Sequence, residues 1–452
     1  MTTARIGHSL HPQIDNQFVR LVSGDGVYVT DDAGKTYLDA VAGVGVMSLG
    51  YGRDDLLAAA EGQARRIPYT HSMRFQNAPQ EQLAVQLAAF SPPGLSWSFF
   101  CSGGSEALES AVKLVRQYWI DRGQPSRYKV IGRRPSFHGM TLTALSIGYH
   151  AARRAAYLPY LVDMPHVAAP WIYRCEHHGP DGPFCADCSG RALADVIEAA
   201  GPETVAAFIA EPLVGAAAPA VTPPAGYYET IREICDRYEV LFISDEVMTG
   251  VGRTGRNFAI EHWATVPDLM LVAKGISGGY ASLAAVVAHD RVIDVLRAGA
   301  GRYEHNFTFA GNPVSCAVGS AVLSAIEAEG VVARVADLEA GFFGMLDGLR
   351  RRAIVGDVRG RGLMAGIELV MPGGREPFPA AMGVARRVEQ AARERGLLTY
   401  PCSGIVDGRV GDAILLLPPL TIDRAELAQL GDRLDAAIGE VGDAVLREAP
   451  GS

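Results

Sequence analysis

The chain has 452 residues and a formal net charge of −9, from 41 basic and 50 acidic side chains, which argues against a dedicated nucleic-acid-binding protein. Apolar residues make up 48% of the sequence, so composition and length indicate a globular protein with about two to three domains. No run reaches the ~20 apolar residues of a membrane span, and residues 1–16 lack a signal-peptide pattern. We therefore expect a cytoplasmic protein without membrane or nucleic-acid partners, whose cysteines are reduced.

The N-terminal part of the chain combines short β segments with two helices. Residues 18–42 alternate strand-like runs with turn signals such as Gly24-Asp25-Gly26, which predicts a small meander. Helices are predicted at residues 54–66 and from residue 80 to just before Ser91. The meander has too few apolar residues for a core of its own, so we expect it to pack against the C-terminal part.

The middle of the chain alternates strand-like runs with helical periodicity. The strand-like runs are residues 97–101, 128–132, 205–210, 240–244, 269–273 and 284–288. This alternation predicts an α/β fold, with a mostly parallel sheet that helices cover on both faces.

Beyond residue 312, long helical stretches surround short strands. The helices are predicted at residues 313–329, 336–352, 381–395 and 423–438, and the strands at 366–370 and 413–417. We predict a large domain at residues 61–311 and a smaller α+β domain formed by residues 1–60 and 312–452.

Four of the basic residues are lysines: Lys35, Lys113, Lys129 and Lys274. The first three occupy ordinary positions in a turn, on a helix and beside a strand. Lys274 ends the apolar run of residues 269–273. Because a buried ammonium group is costly unless it is paired or used, Lys274 is the first candidate for chemistry.

A second candidate is Ser102-Gly103-Gly104-Ser105, which joins a predicted strand to a predicted helix. Free N–H groups of the first helical turn, the helix dipole and the serine hydroxyls would bind a phosphate there. The same residues are typical of ordinary helix capping. The segment alone does not decide between the two interpretations.

A third candidate is Asp245, which with Glu246 follows the strand at residues 240–244. Open α/β sheets bind ligands at such carboxyl ends. Residues 250–255 formally match the dinucleotide fingerprint G-x-G-x-x-G. We discount that match because its glycines begin several residues beyond the strand and because the two carboxylates would repel a pyrophosphate.

An aromatic residue and a histidine, Phe137 and His138, lie in a loop after another predicted strand. Four features are thus predicted at the strand ends of one sheet: the candidate phosphate site at residues 102–105, a carboxylate, a lysine and an aromatic ring. Together they fit pyridoxal 5′-phosphate. Lys274 would bind its aldehyde, Asp245 would keep the pyridine nitrogen protonated, and Phe137 would stack on the ring.

These residues, in this order, resemble the class III pyridoxal-phosphate aminotransferases of fold type I, which include ω-amino acid:pyruvate, 4-aminobutyrate and ornithine aminotransferases. The resemblance covers nearly the whole chain and implies a mostly parallel seven-stranded sheet in the large domain. The matching segments are residues 37–39, 49–52, 102–107, 137–139, 211–212, 245–250, 252–255, 273–275, 308–313, 359–368 and 418–420.

By this resemblance, Lys274 is the Schiff-base lysine and moves the proton of the reaction, and Asp245 is the partner of the pyridine nitrogen. Val247 packs on the ring face opposite to Phe137, and Glu211 is a carboxylate of the site wall. Ser102, Gly103, Gly104, Ser105 and His138 complete the implied cofactor-binding residues of this subunit.

Thr308 resembles the phosphate ligand that reaches over from a second subunit. The resemblance therefore implies a homodimer with shared active sites, or a larger assembly built from such dimers.

Two positions that depart from the family pattern indicate which 2-oxo acid accepts the amino group. Members that bind 2-oxoglutarate tend to carry an arginine three residues before Pro-Pro and a glutamine after Asp-Glu-Val, whereas this chain has Leu415 and Met248. This difference favours pyruvate or another short 2-oxo acid. The mobile arginine of amine:pyruvate members also has no counterpart nearer than Arg409, so carboxylate recognition stays open.

The donor pocket is expected to be roomy and apolar. Small residues around Val44 and Gly45 stand where some members carry a bulky aromatic side chain, and Phe137 lacks the hydroxyl of the frequent tyrosine. With Glu211 and Arg409, these residues are the candidate substrate contacts.

A cysteine cluster remains: Cys175, His177, His178, Cys185 and Cys188. Its Cys-x-x-Cys could belong to a tetrahedral zinc site. The spacing from Cys175 is irregular, and the cysteines resemble those of amine:pyruvate relatives that hold no metal. We therefore predict a surface loop without metal, with zinc binding as the alternative.

The sequence thus predicts a ping-pong transaminase that moves an amino group from an amine or ω-amino acid to a short 2-oxo acid such as pyruvate. Two alternatives stay open. One is an aminomutase or amino-acid epimerase on the same scaffold, which needs no acceptor. The other is a ligand-binding or regulatory protein that retains the fold, against which the intact Lys274, Asp245 and Thr308 argue.

Overall fold

The computed structural model describes residues 9–10, 18–177 and 183–448. Its strands are β1 (Leu21–Asp25), β2 (Tyr28–Asp31), β3 (Thr36–Asp39), β4 (Leu95–Cys101), β5 (Lys129–Arg134), β6 (His166–Ala168), β7 (Val205–Ala210), β8 (Leu241–Asp245), β9 (Leu269–Val272), β10 (Ala284–His289), β11 (Val355–Arg361), β12 (Met364–Leu369), β13 (Leu397–Leu398), β14 (Tyr400–Val406) and β15 (Val410–Leu416).

Helices of the α type surround these strands. They are α1 (Asp54–Arg66), α2 (Ala78–Phe90), α3 (Gly104–Asp121), α4 (Leu142–Ile147), α5 (Ala151–Arg154), α6 (Ala186–Ser189), α7 (Ala192–Ala200), α8 (Tyr227–Arg237), α9 (Asp290–Ala298), α10 (Pro313–Ala328), α11 (Val331–Asp347), α12 (Val384–Glu394) and α13 (Arg424–Glu448). Short 3₁₀ segments lie at Ala155–Tyr160, Ile172–Arg174, Pro202–Thr204, Ala259–Trp263, Lys274–Ser277, Gly348–Arg351 and Ala380–Met382.

A seven-stranded sheet forms the centre of the protein, in the order β4-β10-β9-β8-β7-β5-β6. Neighbouring strands are parallel except at β10, which runs antiparallel to both β4 and β9. Every residue of β7, β8 and β9 is buried, which explains their almost continuous apolar sequences. The predicted α/β class with a mostly parallel seven-stranded sheet is confirmed.

Two smaller sheets accompany the central one, and one of them joins the two ends of the chain. The meander β1-β2-β3 is completed by β13, in which Leu397 and Leu398 pair in parallel with Leu38 and Asp39. The other sheet, β11-β12-β15-β14, is antiparallel. The N-terminal meander therefore lies against C-terminal residues, while domain boundaries at residues 60 and 311 stay a prediction.

The structure differs from the predicted elements mainly outside the central strands. The sequence analysis did not identify β6, β11 or β14, because these strands lie at sheet edges and alternate buried with partly exposed residues. Helix α11 begins at Val331 rather than at residue 336, and α13 continues to Glu448 instead of ending at residue 438.

Among the described residues, no single helix has both the length and the apolar character needed to cross a membrane. The segments Pro313–Ala328 and Val331–Arg351 satisfy those criteria only as a pair, and they are bent by 61° relative to each other.

Candidate active site

The carboxyl ends of several central strands open into a cavity of about 660 Å³. This is the edge at which open α/β sheets bind ligands. The structure brings most of the predicted site residues together there: Ser102, Gly103, Gly104, Ser105, Phe137, His138, Glu211, Asp245, Val247 and Lys274 all line the cavity.

Lys274 lies just beyond β9 and begins the short turn Lys274–Ser277. Its φ of +51° is uncommon for a residue other than glycine, and such conformations persist where the surrounding structure enforces them. Among the described residues, Nζ has no hydrogen-bond or ion-pair partner. Burial lowers the pKa of Lys274 to about 8, against the opposing effect of Asp245 and Glu211. A neutral amine is therefore accessible near pH 8.

Asp245 ends β8 and is only 3% exposed. Its Oδ2 lies 2.6 Å from Nδ1 of His138, and its Oδ1 accepts the N–H of Val247 at 3.1 Å. A neutral imidazole can donate its Nδ1 proton to the carboxylate, so His138 orients Asp245. Nε2 of His138 is buried without a partner in the described part of the chain. The carboxylate is thus held at the cavity wall and suits a protonated ring nitrogen.

The N-terminus of α3 forms another wall of the cavity. The helix begins at Gly104, after an extended Gly103, and the first N–H groups of a helix have no intrahelical acceptor. A Cβ added to Gly103 would meet nothing within 4 Å, so the backbone faces open space. The hydroxyl of Ser105 accepts the N–H of Met140 at 3.2 Å and keeps its own proton available. This wall can hold a phosphate.

Glu211 and Phe137 form a third wall. The N–H of Phe137 donates to Oε2 of Glu211 at 3.3 Å, and the N–H of Gly215 donates to Oε1 at 2.9 Å. Burial raises the pKa of Glu211. The carboxyl group is therefore fixed by two backbone bonds, and it faces the same cavity as Lys274.

Arg153 is a residue near this site that the sequence analysis missed. It lies in the short helix α5, and its guanidinium carbon is 4.4 Å from the centroid of the Phe137 ring. Nη2 donates to the hydroxyl of Tyr400 at 3.4 Å. No carboxylate within the described ranges pairs with Arg153, and its positive charge contributes to the lowered pKa of Lys274.

Two predicted substrate contacts, Val44 and Gly45, do not line the cavity. Residues 42–45 all have positive φ, including 49° at Ala42 and 67° at Val44, and form a tight left-handed turn. This turn places Val46 in the cavity wall instead. A Cβ on Gly45 would lie 3.8 Å from Cγ of Met248, which does line the cavity.

Arg409 and Thr308 also lie outside the cavity lining. Arg409 is exposed in the turn between β14 and β15, so the structure does not bring it to Lys274. Thr308 is exposed in the segment between β10 and α10.

The glycine-rich segment 250–255 contacts the C-terminal part of the chain. Arg253 is 2% exposed, and its Nη1 donates to the carbonyl oxygens of Leu363 at 3.1 Å and Pro418 at 2.5 Å. A Cβ on Gly255 would come within 3.2 Å of the backbone and side chain of Ala336. The segment therefore has a packing function, which agrees with our rejection of the dinucleotide fingerprint.

The cavity residues fit pyridoxal 5′-phosphate. The amine of Lys274 has no protein partner among the described residues and is free to react with an aldehyde. Asp245 offers a buried carboxylate, and the start of α3 offers unpaired N–H groups. Phe137 and Val247 supply apolar surfaces for a flat ring.

Comparison with known proteins identifies the family. The class III aminotransferase family model matches residues 10–438 of the chain. The chain belongs to the class III aminotransferases. It is therefore a transaminase, and its cofactor is pyridoxal 5′-phosphate.

Three relatives of this aminotransferase bear on its fold and function. A putrescine–pyruvate aminotransferase of Pseudomonas aeruginosa is 34% identical, covering 96% of this chain and 94% of that protein. A diaminobutyrate–2-oxoglutarate transaminase of Halomonas elongata is 35% identical over 95% and 92%. The crystal structure of an ω-transaminase from Pseudomonas jessenii in complex with PMP has a TM-score of 0.90 and 32% identity, covering 98% of each chain. The fold is therefore that of fold type I transaminases.

Proposed function

We propose that this aminotransferase transfers an amino group from an amine or ω-amino acid to a short 2-oxo acid such as pyruvate, in a ping-pong reaction. The observation that carries the proposal is the apolar character of two positions. Met248 lines the cavity and Leu415 is fully buried in β15, so neither position offers a cation to the distal carboxylate of 2-oxoglutarate. The chain is about equally similar to a pyruvate-using and a 2-oxoglutarate-using relative, so the choice of acceptor rests on these two positions.

In this proposal, different side chains of the protein have different roles in the reaction. When bound, the cofactor supplies a reactive aldehyde carbon conjugated to an electron-withdrawing ring. Asp245, oriented by His138, keeps a proton on the ring nitrogen. Lys274, neutral near pH 8, takes a proton from the substrate carbon and delivers it again.

The remaining cavity residues hold the cofactor in position. The N–H groups at Gly104 and Ser105 would bind the phosphate, together with the hydroxyls of Ser102 and Ser105. Phe137 and Val247 would contact the ring.

Arg153 is the carboxylate ligand of the acceptor in this proposal. Arginine binds carboxylates through two parallel N–H bonds. The described residues leave the Arg153 charge without a carboxylate partner, whereas Arg409 is exposed in the hairpin turn between β14 and β15. Arg153 is not itself in the cavity lining, but its guanidinium stacks on Phe137, which is, and this places its charge beside the cavity.

The overall proposal is tested by the visible absorption of the holoenzyme. We expect the cofactor band to bleach when a terminal diamine is added and to return when pyruvate follows. Return with 2-oxoglutarate but not with pyruvate would contradict the acceptor assignment. Conversion of the amine without any 2-oxo acid would favour an isomerase instead.

The role of Arg153 is tested by separating the two half-reactions. Arg153→Ala should raise the pyruvate KM by roughly 10- to 100-fold, the value of a lost charge-assisted hydrogen bond, while reaction with a diamine stays near normal. Arg154→Ala is the matched control, because this neighbouring arginine stacks on Tyr149, 4.7 Å from the ring centroid. Equal effects of the two substitutions on the pyruvate KM would exclude Arg153 as the acceptor ligand.

We also propose that the enzyme is a cytoplasmic homodimer with shared active sites. Large apolar side chains are exposed near Thr308: Met73 at 70%, Phe75 at 67% and Phe309 at 59%. Tyr69 joins this surface, because its ring centroid is 6.0 Å from that of Phe309. An exposed apolar surface of this kind is typical of a subunit interface.

The shared site is tested by mixing two impaired variants. Lys274→Ala and Thr308→Ala subunits should regain activity when they form heterodimers, because one of the two sites then carries both substitutions and the other carries neither. Light scattering should give twice the chain mass. Heterodimers without any recovered activity would show that Thr308 serves its own subunit.

A further inference from the structure

Three cysteines lie together at one edge of the central sheet, away from the cofactor cavity. The Sγ atoms of Cys175, Cys185 and Cys188 are all within 4.8 Å of one another, and those of Cys175 and Cys185 are 3.6 Å apart. In a tetrahedral zinc site with Zn–S bonds of ~2.3 Å, neighbouring sulfur atoms are about 3.8 Å apart. The Cys175–Cys185 distance is thus close to that of a zinc site, and no other pair of these sulfur atoms is more than about 1 Å wider than such a site requires.

The backbone also supports sulfur ligands at this place. Cys185 precedes the short helix Ala186–Ser189, and its Sγ accepts the N–H of Cys188 at 3.4 Å. Hydrogen bonds that orient the ligating atoms are a general feature of metal sites. Cys175 comes from the other side, after the 3₁₀ turn Ile172–Arg174. Two separate chain segments therefore direct their thiols to one point.

A route for the ion is present as well. Cys175 and Cys188 border an open cavity of about 460 Å³, which His177 also lines. No fourth side chain of the described residues lies within 4.8 Å of all three Sγ atoms. His178, which the sequence analysis included in the cluster, lies outside the described residues. The described residues therefore supply three of the four ligands of a tetrahedral ion.

We propose that Cys175, Cys185 and Cys188 bind a zinc ion as three thiolates. This proposal reverses our expectation of a loop without metal, which rested on the irregular spacing along the chain and on the resemblance to amine:pyruvate relatives that hold no metal. On binding, each thiol releases its proton to solvent and forms one Zn–S bond. The site needs neither an oxidant nor a reductant.

A zinc ion at this site would stabilise the segment around Cys175, which contacts the sheet β11-β12-β15-β14. Nε of Arg174 donates to Oε1 of the buried Glu368 in β12 at 2.6 Å. The carbonyl oxygen of Cys175 accepts a bond from Nη1 of Arg375 at 3.4 Å. A metal on Cys175 would hold this polar junction in place, so its loss should reduce stability more than catalysis.

The experiment measures zinc in the full-length holoenzyme purified with reductant. We expect about one zinc ion per chain after dialysis against metal-free buffer, and at least a fivefold lower content in Cys185→Ser and Cys188→Ser. The wild-type melting temperature should rise on adding zinc, and that of both variants should not. Cobalt(II) in place of zinc should give the intense visible absorption of tetrahedral thiolate coordination.

Cys316→Ala is the control, because Cys316 is a buried free thiol of α10 that is not part of the cluster. It should retain zinc and the cobalt absorption. Zinc content that stays low in the wild type after incubation with excess zinc would overturn the proposal. So would a Cys175–Cys185 disulfide found by mass spectrometry in protein alkylated at cell lysis.

Discussion

Two buried cations, Lys274 in the cofactor cavity and Arg253 beneath the C-terminal sheet, have opposite surroundings. Arg253 donates to the carbonyl oxygens of Leu363 and Pro418, whereas Nζ of Lys274 has no acceptor among the described residues. Buried polar groups in folded proteins are nearly always satisfied. The comparison teaches that burial of a charge alone does not identify a functional residue: Arg253 is buried against fixed acceptors, whereas Lys274 is buried beside an open cavity.

The chemistry of the two side chains explains the difference. The planar guanidinium of Arg253 offers several donors to carbonyl oxygens that are fixed in place. The ammonium of Lys274 can lose its proton when it is desolvated. One position therefore suits permanent packing and the other suits proton transfer.

The largest effect is expected for a substitution of Lys274, the buried cation in the cofactor cavity. Lys274→Ala should lower the transamination rate by roughly 10⁴-fold or more, because it removes the group that we propose moves the proton. Steady-state kinetics with diamine and pyruvate measure the loss, and circular dichroism verifies the fold. Appreciable transamination by a folded Lys274→Ala variant would contradict the role of Lys274 in proton transfer.

A second prediction concerns the acidity of Lys274. Its pKa should be about 8 rather than 10.5 in the apoenzyme, a roughly 300-fold stronger acid. Because the chain has only four lysines, ¹³C-dimethylation and NMR can follow each of them during a pH titration. The Lys274→Ala variant identifies the resonance by its absence. A Lys274 resonance that titrates near 10.5 would remove the physical basis for a neutral amine.

A third prediction tests Arg253, the buried cation with a packing role. Arg253→Met should lower the free energy of unfolding by about 2 kcal/mol, because it leaves two buried carbonyl oxygens without donors. Cofactor absorption and the pyruvate KM should stay near normal in the folded variant. Arg256→Met, at an exposed neighbouring position, is the control and should change stability little. Loss of cofactor binding in Arg253→Met alone would give the glycine-rich segment a role in the site.

The smallest expected effect concerns Glu246, the buried neighbour of Asp245. Burial raises the pKa of Glu246 to about 7, while its oxygens accept bonds from Thr249 at 2.5 Å and Ile260 at 2.8 Å. The folded protein thus holds this proton more tightly than the unfolded chain. The contribution to stability is complete below pH ~4.5 and is lost as the pH rises through about 7.

Glu246→Gln has no ionisable group at this position, so its unfolding free energy should lack that part of the pH dependence. At pH 7 we expect the variant to gain about 1 kcal/mol relative to its difference from wild type at pH 6. Urea unfolding at both pH values measures this. Parallel pH profiles of the two proteins would mean that Glu246 is ionised throughout.

The sequence predicted the strand-end residues of the site well, because apolar runs that end in Asp245 or Lys274 report burial directly. It did not reveal Arg153, whose importance depends on packing over Phe137 from another element. Nor did it reveal the left-handed turn at residues 42–45, since alanine and valine rarely adopt positive φ. Edge strands such as β14 were missed because their pairing partners, rather than their own pattern, define them.

The pairing of Leu38 with Leu397 has a consequence for synthesis of the protein on the ribosome. The edge of β3 emerges early, but its partner β13 is translated about 360 residues later, which takes ~20–70 s at usual elongation rates. During that time the nascent meander exposes an open sheet edge, which is a site for mispairing. The N-terminal segment should therefore depend on chaperones that bind nascent chains until β13 has left the exit tunnel.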